Sequence, residues 1–248
     1  MIERSDPRDD RSVFDAFLRH AESDPNVLGL VLHGSRGFDA YVTEESDVDV
    51  IVVVDHDPDD WRTAHGGPVE AWPMSLEEFR EHALPGTRDA WNRAAFLGVK
   101  VVLDKLDGEI ARIVDRKREL SLDEARAIVV ISLDDYINAL FRSLHNLEAG
   151  RELQGRLDAM DTIPPLLTTV FALDNRVRPF NKWLMHELQA RPLSIQGFIP
   201  LVEQLARGPT PSIQRAVFRT VERAARDAGH GLRIDSWEPD VAWLRGRA

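Results

Sequence analysis

The sequence contains no cysteine. That excludes disulfide bridges, thiolate catalysis and cysteine-ligated zinc. It also contains no run of about 18 apolar residues, so no membrane-spanning helix is expected. Residues Met1 to Asp10 are charged and lack the apolar centre of a secretion signal, so a cytoplasmic setting is the expectation. Lysine is scarce: it occurs only at 100, 105, 117 and 182, and arginine supplies the other basic residues. Lys182 therefore stands out as a site for one particular cation. Positive charge is short overall, with 31 Lys and Arg against 42 Asp and Glu and a net charge of −11. A nucleic-acid binder needs a basic footprint to neutralise phosphates, so the balance disfavours nucleic acid as a partner. It suits a soluble protein and favours a cationic small molecule over an anionic one. No internal repeat or low-complexity segment is visible.

The first half of the chain alternates short apolar runs with helical patterns. Residues 12–22 carry Val13, Phe14, Phe17, Leu18 and Ala21 on one helical face, and Asp24-Pro25-Asn26 ends the pattern. Val27 to Leu32 reads as a buried strand, and a short helix is expected over 38–41. Val48 to Val54 is rich in β-branched residues and reads as a second strand. Residues 55–67 read as a loop, 68–72 as a third strand and 99–103 as a fourth. Ser75-Leu-Glu-Glu78 has the pattern of a capping box opening a helix, and Asp107 is the expected cap of a helix running to about 120. At Ser121 a second capping-box pattern begins, and helical periodicity dominates from there on. Ile137, Leu140, Phe141, Leu144 and Leu147 mark one helix face, and Leu166, Val170, Phe171 and Leu173 another. Ser212 is the expected cap of the last long helix, which Gly229 stops. The expected fold is α+β: residues 1–120 form a small mixed-sheet domain and 121–248 an all-helical one.

Two aspartates stand at the head of one of the most apolar stretches, in Ser46-Asp47-Val48-Asp49-Val50-Ile51-Val52-Val53-Val54. Charge beside a buried strand is costly unless something pairs with it. Side chains alternate along a strand, so Asp47 and Asp49 share a face. Two carboxylates on one face suit Mg²⁺, which takes a few carboxylates together with substrate phosphates. Upstream, the first strand ends in His33-Gly34-Ser35-Arg36. A glycine after a strand lets backbone approach a ligand closely, and the following amides with the Ser35 hydroxyl can hold a phosphate. Arg36 is near enough in sequence to help. Asp-x-Asp alone is common in solvated turns, and Gly-Ser alone is only a turn. The ordered pattern of strand, Gly-Ser, an eleven-residue spacer and Asp-x-Asp on a second strand is far more specific.

Gly34-Ser35 followed by Asp47-x-Asp49 resembles the signature of the DNA polymerase β-type nucleotidyltransferase superfamily, and in particular that of bacterial aminoglycoside and antibiotic-type nucleotidyltransferases. The resemblance implies a nucleotidyltransferase domain followed by a helical domain. It further implies a Gly-Ser turn on the nucleotide phosphates, two aspartates on Mg²⁺, and a third acid from a neighbouring strand. Glu70, in Val69-Glu70-Ala71-Trp72, stands where that acid is expected, as metal ligand or general base; Asp55, Asp57 and Glu77 are less well placed. A softer resemblance covers Phe171 to Leu184, where basic residues of such enzymes help to bind triphosphate or acceptor. It nominates Arg176 and Lys182, which otherwise belong to the solvated face of an amphipathic helix. The implied reaction moves an NMP, AMP first, from an NTP to a hydroxyl of a small molecule such as an aminoglycoside-like antibiotic. Asp47, Asp49 and Glu70 would be its catalytic and metal-binding residues, and two Mg²⁺ ions its cofactors. Alternatives are transfer to a protein or tRNA, as in toxin–antitoxin systems, and a nucleotide-binding regulatory module without turnover. The expected assembly is a monomer or homodimer.

Other residues have plainer readings. His33 reads as a packed or capping histidine. Trp72 shares the Glu70 face, where it can stack on a substrate ring or simply pack. Trp61, Trp91, Trp237 and Trp243 have no legible chemical company. Asp134, Asp135 and Tyr136 read as a helix start with solvated acids, or as the lining of a pocket for a cation.

Overall fold

A computed structural model describes residues 7–43, 46–63 and 65–246, with the side chains of 7–11 left aside. The architecture is α+β, a four-stranded mixed sheet followed by a helical region. The chain divides into two compact units. The first runs to Glu119 and also takes Pro179–His186; the second holds Leu120–Arg178 and the chain from Glu187.

In the first unit, α1 (Pro7–Ser23) leads into β1 (Val27–Leu32), α2 (Gly34–Phe38) and β2 (Val48–Val54). Then follow β3 (Val69–Ser75), α3 (Leu76–Glu81), β4 (Lys100–Asp104) and α4 (Glu109–Arg118). The sheet order is β3-β2-β1-β4. β1 is antiparallel to both β2 and β4, and β2 is parallel to β3. Alternation along β2 sorts its side chains between two cores. Val48, Val50, Val52 and Val54 pack with Leu30, Ala71 and the α1 residues Phe14, Phe17 and Ala21. Ile51 and Val53 pack with Val31, Phe79, Phe96, Ile110 and Val114 on the other face.

Several elements differ from the sequence expectation. The short helix expected over 38–41 begins at Gly34, directly after β1, so the Gly-Ser turn lies in its first turn. β3 continues past Pro73 to Ser75. Its position at the edge of the sheet allows this, because an edge strand tolerates a residue that cannot donate on one side. A 3₁₀ run over Ala90–Gly98 and a second over Pro58–Trp61 occupy stretches with no helical period to announce them. Asp107 does not cap α4: it has φ +50°, and Gly108 takes the cap position without a side-chain bond. Asp104 serves there instead, accepting from the Leu106 and Ala111 amides at 2.9 and 3.1 Å.

The second unit has helices as its regular elements, joined by turns and irregular stretches such as 174–178 and 191–197. It contains α5 (Leu122–Glu148), α6 (Glu152–Asp161), α7 (Ile163–Leu173), the C-terminal part of α8 (Leu184–Ala190), α9 (Phe198–Arg207), α10 (Pro211–Asp227), α11 (Gly231–Asp235) and α12 (Asp240–Arg245). Leu133, Ile137, Leu140 and Leu144 of α5 are buried, as are Leu166, Val170 and Phe171 of α7 and Val217, Phe218 and Val221 of α10. α10 starts one turn-position earlier than its sequence cap suggested: the Thr210 hydroxyl accepts from the Ile213 amide, Pro211 is the first helical residue, and Ser212 lies inside. No helix among the described residues is long and apolar enough to cross a membrane.

Candidate active site

The sheet register assembles the acids. β2 and β3 run parallel with Asp49 opposite Glu70, so the two carboxylates leave adjacent strands at the same level. Asp47 precedes Asp49 by two and therefore shares its face. One ligand oxygen from each of Asp47, Asp49 and Glu70 lies within 4.8 Å of the others. It is the one group of three potential metal ligands among the described residues, and neither Asp55, Asp57 nor Glu77 belongs to it.

The three carboxylates are not equivalent. Asp49 is half-buried, and burial together with the charges of Asp47 and Glu70 raises its pKa from 3.8 to about 6, against a lowering contribution from Lys182. Glu70 is buried, yet its pKa is held below the usual carboxylate range. The Gly66 amide donates to its Oε1 at 2.6 Å, and the imidazole of His65 stands 2.8 Å from the same oxygen. These supports come from the loop before β3, which is tied to the strand where the Ala71 amide donates to the Thr63 hydroxyl at 2.7 Å. Sequence reading missed His65 and Gly66. Their only signal was a position four or five residues ahead of Glu70 in a glycine-containing loop.

Gly34 fits against Asp49. It has φ +64°, a conformation that disfavours any side chain, and a Cβ built there would collide with Asp49 Oδ2. The Gly-Ser turn and the second aspartate are thus in direct apposition. Ser35 follows, buried, and Lys182 Nζ donates to its Oγ at 2.9 Å. The segment that delivers Lys182 is fixed by Trp183, whose indole stacks on Phe38 of α2 at 4.2 Å between centroids and 5° between planes. Lys182, chosen from the sequence for its rarity and its setting, therefore sits beside the acids and the Gly-Ser turn although 147 residues separate it from Ser35.

The other nominated cations make contacts of their own within the protein. Arg36 donates through Nε to the Asp47 carbonyl at 3.2 Å and through Nη2 to the Ser46 carbonyl at 2.8 Å, bracing the entry to β2. Arg176 lies in the second unit, buried. It donates to the Arg191 carbonyl at 2.7 Å, pairs with Glu187 at 3.4 Å and lies over the Phe171 ring. Its guanidinium joins parts of the helical unit.

His33 is a packed histidine, as its sequence setting suggested. Its Nε2 is buried without a hydrogen-bond partner, and burial, with the charge of His82, pushes the ring down to about 4, so it is neutral near pH 7. The trio at the middle of α5 does not share a surface. Tyr136 is buried and burial raises its phenol pKa, while Asp134 is held by Arg233 and by the Trp237 indole at 2.9 Å. Trp237 thus has a polar partner, as does Trp61, which donates to Asp24 at 2.9 Å. Trp72 is 54% exposed.

No protein-family profile matches the sequence, and no curated protein matches it. Among solved structures the chain is similar to a nucleotidyltransferase-like protein from Exiguobacterium sibiricum 255-15. The two share 14% identity over 96% of this chain and 81% of the other, with a TM-score of 0.32. At that TM-score the likeness adds nothing to the chemistry of the site.

Proposed function

We propose that the protein is a nucleotidyltransferase that moves an NMP from an NTP to a hydroxyl of a small-molecule acceptor. The observation that carries this reading is the convergence of Asp47, Asp49 and Glu70 within 4.8 Å. The donor set fits Mg²⁺: every ligand is a carboxylate oxygen, and burial of Asp49, with the charges of Asp47 and Glu70 beside it, raises its pKa, a penalty on the charged form that a bound divalent cation would relieve. Asp47, Asp49 and Glu70 would hold the metal. When bound it supplies charge neutralisation for the triphosphate and raises the acidity of the attacking hydroxyl.

The chain's own groups have separable tasks. The Ser35 hydroxyl and Lys182 ammonium offer hydrogen bonds and positive charge to the phosphates on one side of the acids. Glu70 stays ionised across the neutral range because Gly66 and His65 stabilise its carboxylate. A carboxylate so stabilised is a weak base. It accepts the hydroxyl's hydrogen bond, aims the oxygen at the α-phosphorus, and takes the proton only as the new P–O bond forms. The bond between the α-phosphorus and the bridging oxygen breaks, and pyrophosphate leaves with the electron pair. Positioning and charge neutralisation account for most of the acceleration in phosphoryl chemistry, and attack at the α-phosphorus follows the same logic.

The test is incubation with Mg²⁺, each α-labelled NTP and a panel of hydroxyl acceptors. Wild type is expected to release pyrophosphate and label an acceptor, and Asp47→Asn and Asp49→Asn to lose both. Absence of divalent-dependent NTP binding and of pyrophosphate release would overturn the reading. Label appearing on protein or tRNA from a lysate would move the acceptor to a macromolecule and leave the chemistry in place.

A further inference from the structure

We infer that Trp91 and Phe180 form the platform on which the nucleobase stacks, and that the nucleotide is a purine triphosphate. The inference rests on the nucleotidyl-transfer reading and concerns the part of the nucleotide that the acids and Lys182 leave unheld.

Both rings are open: Trp91 is 70% exposed and Phe180 36%. Openness alone singles out neither, since Trp72 and Tyr41 are exposed as well. What sets this pair apart is that two open rings from distant parts of the first unit meet each other. Their centroids are 6.5 Å apart and their planes 46° apart. At that angle the rings are neither stacked nor edge to face, and neither covers the face of the other.

Two lines of contact tie the pair to the phosphate-binding and metal-binding groups. The first runs along the chain. Phe180 is the cap of a short 3₁₀ turn, Asn181–Trp183. Lys182, which donates to the Ser35 hydroxyl, follows it by two residues, at most about 7 Å of chain. Trp183 then fixes the turn by stacking on Phe38 of α2. The second line runs through the sheet. Trp91 stands near the start of the 3₁₀ run Ala90–Gly98. Phe96 of that run packs in one core with Ile51 and Val53, on the sheet face that also bears Asp49. Asn92, beside Trp91, pairs with His82 at 3.0 Å. His82 in turn acts on His33, whose amide donates to the Asp49 carbonyl at 2.9 Å. The run ends against α2, where a Cβ on Gly98 would overlap the Phe38 ring. The ring pair is thus held on the acid-bearing face by its own run, which covers roughly 14 Å between Trp91 and Gly98 at 3₁₀ rise.

Charge and shape divide the nucleotide between these groups. Ser35, Lys182 and a metal on the acids serve the triphosphate. The base is a flat π-surface, and aromatic side chains are its sequence-tolerant partners. The pair shares a segment with Lys182, the cation of the triphosphate, so the ring it holds belongs to the nucleotide. Stacking grows with ring area, which favours a purine over a pyrimidine and leaves adenine and guanine nearly equal.

Calorimetry with Mg²⁺ tests this on the full chain, with ATP, GTP, CTP, UTP and inorganic tripolyphosphate as probes. The variants are Trp91→Ala, Trp91→Phe and Phe180→Ala, and melting temperatures confirm that each is folded. Wild type should bind ATP and GTP alike and several-fold more tightly than CTP and UTP. Trp91→Ala and Phe180→Ala should each weaken ATP about tenfold, leave tripolyphosphate within about twofold and compress the purine preference. Trp91→Phe should restore most of the loss. Unchanged ATP affinity in Trp91→Ala would overturn the inference. So would an equal loss of ATP and tripolyphosphate, or wild-type affinities that do not separate purines from pyrimidines. Wild type that binds neither NTP nor tripolyphosphate would strike the nucleotidyl-transfer reading itself.

Discussion

Gly34 and Asp49 constrain each other. A side chain at Gly34 meets two penalties, the left-handed backbone at φ +64° and the Asp49 carboxylate in its path. The backbone part alone costs about 1–2 kcal/mol. Gly34→Ala is expected to lower the melting temperature modestly and to weaken Mg²⁺-dependent NTP binding about tenfold or more, because relief of the collision displaces a metal-binding oxygen. Thermal melting and calorimetry read the two effects separately. Asp49 adds a pH signature. Its folded-state pKa is raised from 3.8 to about 6, so between those values the folded chain binds more protons than the unfolded one. Metal-free stability should therefore fall as pH rises through this window. Added Mg²⁺ should restore it above pH about 6 and lose its effect below, where the proton holds the site. Melting curves from pH 4 to 8, with and without Mg²⁺, check both slopes; a flat metal-free profile would contradict a carboxyl group raised by burial and by its acidic neighbours. These residues were legible in the sequence because their spacing is local and periodic. His65 and Gly66 were not, since a hydrogen bond from a loop to Glu70 leaves no period to read.

Elements were legible where side chains cap or alternate. Both capping boxes form as their sequences suggest, Ser75 with Glu78 and Ser121 with Glu124, each bonding reciprocally. β2 follows from its β-branched run and β1 and β4 from their apolar ones, whereas β3, with Val69 as its single β-branched residue, carries the weakest mark. The two misplaced caps share one cause: where two plausible caps lie close together, backbone geometry decides between them. At α4 the left-handed backbone at Asp107 and Gly108 turns the chain, and Asp104 reaches forward to the helix. At α10, Thr210 and Ser212 are both good capping types, and Pro211 settles the choice, since proline favours the first helical position. Thr210→Ala should therefore cost about 1 kcal/mol and Ser212→Ala no more than a few tenths. Urea denaturation of the two variants distinguishes them, and the reverse ranking would place the cap at Ser212. The 3₁₀ run over Ala90–Gly98 carries no such marks. It is held by tertiary bonds, in particular from the buried Arg93, which donates to the Lys117 carbonyl at 2.9 Å and to the Glu119 carbonyl.

At the scale of the whole molecule, the chain returns to its first unit late, through Pro179–His186. A reading that divides the chain once, near residue 120, separates Lys182 from the acids; the fold supplies it to them from the far side of the helical stretch. Two roles for this return are distinguishable. Trp183 stacks on Phe38 and is buried, so Trp183→Ala should destabilise the first unit by about 3–5 kcal/mol. Lys182 is exposed to a different accounting, because its ammonium bonds to Ser35 and its charge lowers the Asp49 pKa. Lys182→Met keeps the bulk of the side chain and removes the charge. It should raise the KM for NTP about tenfold with a small change in melting temperature. It should also move the pH midpoint of Mg²⁺ binding upward from about 6, since the one opposing charge at Asp49 is gone. If Lys182 acted only by holding the segment in place, Trp183→Ala would reproduce the NTP defect and Lys182→Met would leave the Mg²⁺ midpoint where it was. A shift in that midpoint confined to Lys182→Met would show that the late segment returns to deliver charge to the acids as well as to pack against α2.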